Sequence, residues 1–302
     1  NRNHDCDLLL DQNLVSNFKM RYRNLVPKYC SKFLGPRYAL LQDIYKDMHL
    51  IAPPRIGSPK RILVYFGEAD DNNLTEMSIS AFMKLNNHNI KLDVVISSKN
   101  PCIKKIKNLS KKSKNISIKT DLDSLAPLML KADLALGACG ATSWERLCLG
   151  LPSIIVTIAE NQEPIAKELH NRGLIRWLGN YTEISNNLIY DALEFSINED
   201  LESWSSCCKH FTDGCGAQKI ASFLTLNPKT KISSRLAQLR DKNALEDCLE
   251  PSTNIASIKN FRATFYRYLR NQDKHKIYII ETDEGMPICQ VQFNLTKNGW
   301  TV

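Results

Sequence analysis

The middle of this 302-residue chain predicts an α/β fold, a parallel sheet covered by helices on both faces. Three observations carry the prediction. From Lys60 onward, apolar runs of strand length alternate with stretches of helical character. Glycine or amide residues follow several of those runs, where strands would end. Pro53-Pro54 and Gly57-Ser58-Pro59 on one side, and Asn227-Pro228 on the other, punctuate the chain as boundaries do.

The elements follow in order. Residues 1–53 hold a short strand, Leu8–Leu10, an irregular stretch, and Tyr38–Leu41 leading into a helix. Residues 54–228 carry strands at Ile62–Phe66, Leu92–Ser97, Ile116–Ile118, Leu134–Leu136 and Ile154–Ile158. Helices are expected near 73–86, 102–112 and 122–131, and again after Gly140. Asp121 and Asp123 have the spacing of a metal-binding pair, but their place between strand and helix makes N-capping the better account. Residues 229–302 change character. A strand at Arg235–Leu239, helices at 241–249 and 258–271, and a hairpin of Lys276–Thr282 with Pro287–Asn294 make an α+β unit.

Composition narrows the classes. The chain is 43% hydrophobic and 24% charged, typical of a globular protein. No apolar run approaches the ~20 residues that cross a bilayer, and no secretory signal opens the chain. The net charge of +8 includes eight lysines between Lys99 and Lys119. That run lacks the aromatic and arginine residues used for base stacking and readout, so it is expected to be a solvated face rather than a nucleic-acid surface. Ten cysteines show no zinc spacing. Cys139, Cys148 and Cys289 sit among apolar or small neighbours, as buried reduced thiols do.

The stretch from Gly137 to Gln162 is the most informative. An apolar run ends in Gly137-Ala138-Cys139-Gly140-Ala141, and a helix opens with Thr142, Ser143 and Glu145. Small residues let backbone amides approach a ligand, and a helix start favours anionic oxygen. A carboxylate one turn in can accept from ribose hydroxyls. The second run ends in Glu160-Asn161-Gln162. Each residue also has an ordinary role: Thr142 or Ser143 as N-cap, Glu145 as a first-turn acid favoured by the dipole, Asn161 as a cap. Trp144 is expected to pack rather than stack on a base.

This stretch resembles the nucleotide-binding domain of the UDP-2,4-diacetamido-2,4,6-trideoxy-β-L-altropyranose hydrolases, which act in pseudaminic acid synthesis and have the GT-B fold. Other pieces match in order: His4–Asn13, Arg21–Pro27, Leu34–Leu41, Phe66–Asp70 with Asn73–Thr75, and Asp213–Ala217. The resemblance covers residues 3–226. It implies a C-terminal Rossmann-like GT-B domain at 54–228 behind a remnant of the first domain at 1–53. It implies that water attacks the sugar's anomeric carbon without a metal and that UDP leaves.

Gly67, Gly140, Ala141, Thr142, Ser143 and Glu145 are then expected to hold UDP. Asn161, with Gln162 and Glu160, is expected to meet the sugar. Glu68 stands where the family has a second glycine. The family's Gly-x-Gly-His base matches none of the six histidines and is expected upstream of residue 1. Since the chain also opens on Asn, it is expected to be a fragment, inactive alone. Residues 229–302 resemble the first half of a GNAT-type acetyltransferase but stop before its acetyl-CoA loop, so acetyl-CoA is expected only with a complete domain. The resemblance implies a UDP-activated sugar as partner; the composition leads us to expect a cytoplasmic location and neither nucleic acid nor membrane as partner. A GT-B glycosyltransferase with a UDP-sugar donor is the alternative.

Overall fold

Pleating sends alternate strand residues to opposite faces, and the central strands of this protein bury both. The computed structural model describes residues 2–225, 232–241, 265, 269–270, 275–282, 287–296 and 299–301. They fall in two compact units, residues 1–217 and 218–302.

The first unit begins with a two-stranded parallel pair, β1 (Leu8–Asp11) and β2 (Ser31–Leu34), with Leu8 opposite Ser31. α1 (Asp43–Ile51) follows. A six-stranded sheet then forms from β3 (Arg61–Tyr65), β4 (Lys91–Val95), β5 (Ile116–Lys119), β6 (Leu134–Ala138), β7 (Ser153–Thr157) and β8 (Arg176–Asn180). Its order is β5-β4-β3-β6-β7-β8, and every neighbouring pair is parallel. The connecting helices are α2 (Leu74–Lys84), α3 (Ile103–Ser110), α4 (Ala126–Lys131), α5 (Thr142–Cys148) and α6 (Glu163–Asn171). α7 (Asn186–Ser196), α8 (Glu202–Lys209) and α9 (Gly216–Thr225) come after β8.

Leu63, Ala135 and Ile155 face a core built with Tyr45 of α1, Met129 of α4, Trp144 and Leu147 of α5, Leu169 of α6 and Cys208 of α8. Ile62, Val64, Leu134, Leu136, Ile154 and Val156 face another, built with Ile79 and Phe82 of α2, Ile106 of α3 and Leu193 of α7. The expected doubly covered parallel sheet is thus present.

Arg55, only 3% exposed, braces one side. Its Nε donates to the Ala132 carbonyl at 3.2 Å, and Nη2 donates to that of Met129 at 2.9 Å. Nη1 donates to the carbonyls of Pro53 and Leu149. One guanidinium thereby satisfies carbonyls at the C-terminal ends of α4 and α5, where positive charge is favoured.

Three sequence expectations need amending. β2 and β8 were not foreseen as strands: β2 is four residues long, and β8, Arg-Trp-Leu-Gly-Asn, lacks alternation. Asp121 caps no helix. α4 starts at Ala126, and the Asp121 carboxylate instead accepts from the Ser98 backbone N–H at 3.1 Å; the Ser98 hydroxyl first and this N–H second hold its pKa below the ordinary value.

In the second unit, β9 (Ile232–Leu236), β10 (His275–Thr282), β11 (Pro287–Thr296) and β12 (Gly299–Thr301) form an antiparallel sheet of order β12-β11-β10-β9. The foreseen hairpin is β10 with β11, Lys276 opposite Phe293. Ala237, Phe265, Ile277 and Ile279 make its core. Apart from Asp241, Phe265, Leu269 and Arg270, the helices expected at 241–249 and 258–271 lie outside the described residues. Among the described residues, no helix is long and apolar enough to cross a membrane.

Candidate functional site

In a parallel sheet, ligands sit beyond the carboxyl ends of the strands where the order reverses direction. Here β3 lies between β4 and β6, so the reversal falls between β3 and β6. Two glycine loops emerge there, 66–73 and 139–141.

The β6–α5 loop opens on a cleft of about 510 Å³. Cys139, Gly140, Ala141 and Trp144 form one wall, and Asn161, Gln162, Pro164 and Ile165 beyond β7 form another. The third wall comes from the chain's start: Gln12, Asn13, Val15 and Arg21. Four carboxamides and one guanidinium line the cleft, with no carboxylate among them. Carboxamides both donate and accept, which suits hydroxyl and acetamido groups.

The third wall is firmly set. The Asp11 carboxylate accepts from the Asn13 N–H at 3.0 Å, from Arg21 at 3.0 Å and from the Tyr22 hydroxyl at 2.8 Å. Gln12 Oε1 accepts from the Leu40 N–H at 3.0 Å. Gln12, Asn13 and Arg21 carried no binding role in the sequence. The signal was there in part, since a polar trio, Asp11-Gln12-Asn13, follows an apolar strand.

The structure brings Gly140, Ala141, Asn161 and Gln162 together. Gly140 is not in the left-handed region, and a Cβ on it would point into space with no atom within 4 Å. Neither backbone nor packing therefore calls for glycine. Asn161 makes no described hydrogen bond and caps nothing; Gln162 stands at the α6 N-cap position. Gln162 Oε1 accepts from the Ile158 N–H at 3.0 Å, closing the β7 turn. Glu160 is exposed and does not line the cleft.

Thr142, Ser143 and Glu145 stand behind this wall. Arg146 reaches back under them. Its Nη1 donates to Thr142 Oγ1 at 3.1 Å, and its Nη2 donates to Ser143 Oγ at 3.1 Å and to the Ala138 carbonyl at 2.7 Å. Burial raises the Glu145 carboxyl pKa, against the pull of the nearby Tyr45 hydroxyl and Arg146. Tyr45 is pushed up by its own burial and by Glu145. Burial raises the Cys139 thiol pKa, which disfavours the thiolate, and Trp144 is core.

Gly67 is not among the cleft residues. Its φ of +100° gives it a backbone reason to be glycine. The neighbouring Tyr65 hydroxyl is raised first by burial and then by Glu68 and Glu145. The α2 start is occupied from within: Asp70, 7% exposed, accepts from the Leu74 and Thr75 N–H groups at 3.0 Å each. Among the described residues, no group of three or more His, Cys, Asp or Glu is placed to hold a metal ion.

No protein-family model matches the chain. It is 26% identical over 170 residues to the UDP-2,4-diacetamido-2,4,6-trideoxy-β-L-altropyranose hydrolase of Campylobacter jejuni, covering 56% of this chain and 59% of that protein. It is 30% identical over 129 residues to an uncharacterised protein of Methanocaldococcus jannaschii, covering 41% of this chain and 26% of that one. Among solved structures it is similar to MurG of Acinetobacter baumannii, with a TM-score of 0.51 and 17% identity over 72% of this chain and 65% of that chain. In each case the chain spans less than two thirds of the relative's length. The sheet order, the two-sided helical cover and the likeness to MurG establish an α/β architecture of the GT-B type.

Proposed function

We propose that this chain forms the nucleotide-sugar half of an enzyme that breaks the bond between a sugar's anomeric carbon and the diphosphate of UDP. The observation that carries the proposal is Gly140, a glycine without conformational or packing cause at a carboxamide-lined cleft beyond the carboxyl ends of β6 and β7. The likeness to the Campylobacter jejuni hydrolase supports a UDP-sugar as ligand.

In this proposal the Gly140 and Ala141 amides and the Thr142 hydroxyl face the diphosphate, and the buried Ser143 supports the turn behind them. Fixed donors there stabilise charge as it builds on the leaving group. Asn161 meets the sugar, with Gln162 setting the loop and Glu160 at its rim. Glu145 accepts the ribose hydroxyls in exchange for Tyr45. Gly67, outside the cleft, is given no contact with the ligand in this reading. Water attacks the anomeric carbon, the carbon–oxygen bond to the diphosphate breaks, and UDP departs with the electron pair. The attacking water's proton goes to a base that no residue of this chain is assigned to supply. The free sugar would be 2,4-diacetamido-2,4,6-trideoxy-L-altrose. A second reading is transfer of the sugar from a UDP-sugar to an acceptor hydroxyl, which the same α/β architecture would also allow. Release of free sugar without an acceptor separates the two.

Calorimetric titration with UDP tests the site. Saturable binding is expected, weakened about tenfold or more in Gly140→Ala, whose methyl group would occupy the ligand's space. The same variant should fold with unchanged or slightly higher stability, by up to about 1 kcal/mol. A folded chain that ignores UDP would sink the proposal.

A further inference from the structure

Arg146 is 2% exposed and has no carboxylate at salt-bridge distance among the described residues. Its Nε is buried without a hydrogen-bond partner. Burial draws its pKa down to about 10, partly offset by Cys139, Glu145 and Tyr45, so it stays charged at neutral pH. A buried cation without a paired anion is costly, and it persists where something else compensates the charge.

Its surroundings are shaped for it. A Cβ on Gly137 would sit 3.1 Å from Arg146 Nη1 and collide with the Tyr65 carbonyl oxygen. The two hydroxyls that accept from Arg146 differ. Ser143 is only 2% exposed, with its hydroxyl closed off from the cleft. Thr142 Oγ1 has no described partner but Arg146. An oxygen that accepts from a guanidinium keeps its own proton for another acceptor, and the adjacent charge strengthens it as a donor. Thr142 is half-buried and stands directly behind Ala141, which lines the cleft.

We propose that Arg146 is a positioning residue for an anionic ligand group: it fixes the Thr142 hydroxyl as a donor to a phosphate oxygen and lends that group its uncompensated positive charge. This rests on the UDP-sugar proposal and adds the residue that makes the loop selective for a charged ligand. Selectivity here means the ratio of affinities for UDP and for uridine, which lacks phosphate.

Ligand-observed NMR titration with UDP and uridine measures that ratio. Thr142→Val keeps the side chain's shape and removes its hydroxyl. It should weaken UDP about tenfold and leave uridine unchanged. Arg146→Gln should cost UDP at least as much, and the double variant should cost less than the two losses combined, because both act through one hydroxyl. If Arg146→Gln does not fold, Thr142→Val still decides. An unchanged ratio in Thr142→Val overturns the role of Arg146 while leaving the pocket standing. A parent that binds neither ligand removes the pocket and this inference with it.

Discussion

Two glycine loops leave the sheet at its reversal point, and they are built in opposite senses. The β3–α2 loop closes itself. Asp70 places a carboxylate on the first free amides of α2, and Gly67 is there for its positive φ. The β6–α5 loop has no such acid. It has a buried cation behind it, a glycine without structural cause, and a cleft in front. Strand, glycine and helix look alike in both. One internal carboxylate decides which loop has its anion already and which still has room for one.

Three variants would break or sharpen this contrast. Gly137→Ala should have the largest effect, because its methyl group meets main chain that cannot yield. A loss of about 3 kcal/mol or more is expected in urea denaturation, and near-parental stability would show that Arg146 has more room than the structure gives it. Asp70→Ala removes the cap from the closed loop and should cost about 1–2 kcal/mol by the same measurement. UDP binding should be untouched, and a loss there would place the ligand on the first loop instead.

Glu145→Gln should have the smallest effect, and it depends on pH. Burial holds the Glu145 carboxyl above its ordinary value of 4.5, so the folded state binds the proton more tightly than the unfolded one. Stability of the parent therefore falls as pH rises from about 4.5 through the folded-state pKa, and the penalty is complete above it. The variant lacks that penalty. Its Tm advantage over the parent should grow from pH 4 to pH 7, whereas a flat or shrinking advantage would show that Glu145 is not strained by burial.

The sheet was legible because its strands are short apolar runs with helical spacers, from Ile62 to Ile158. β8 escaped because Trp177 and Gly179 interrupt any period, and its burial depends on β7 beside it. The site was legible where it is local. Gly140 and Asn161 stand at strand ends, and sequence alone places them near each other. The cleft's third wall was not, because Gln12 and Asn13 reach it across some 130 residues of chain. The burial of Glu145 near Tyr45, a residue likewise far away in sequence, was not legible either. Asp70 was read as part of a ligand loop, although an acid four residues before Leu74 also fits a cap.

α5 has only seven residues, and isolated helices of that length do not persist in water. This one is held at both ends by buried arginines, Arg146 under its first turn and Arg55 on the Leu149 carbonyl at its last. Ordering a residue's backbone costs about 1–2 kcal/mol, and a loop that orders only on binding subtracts that cost from its affinity. Here the cost is met during folding, before any ligand arrives.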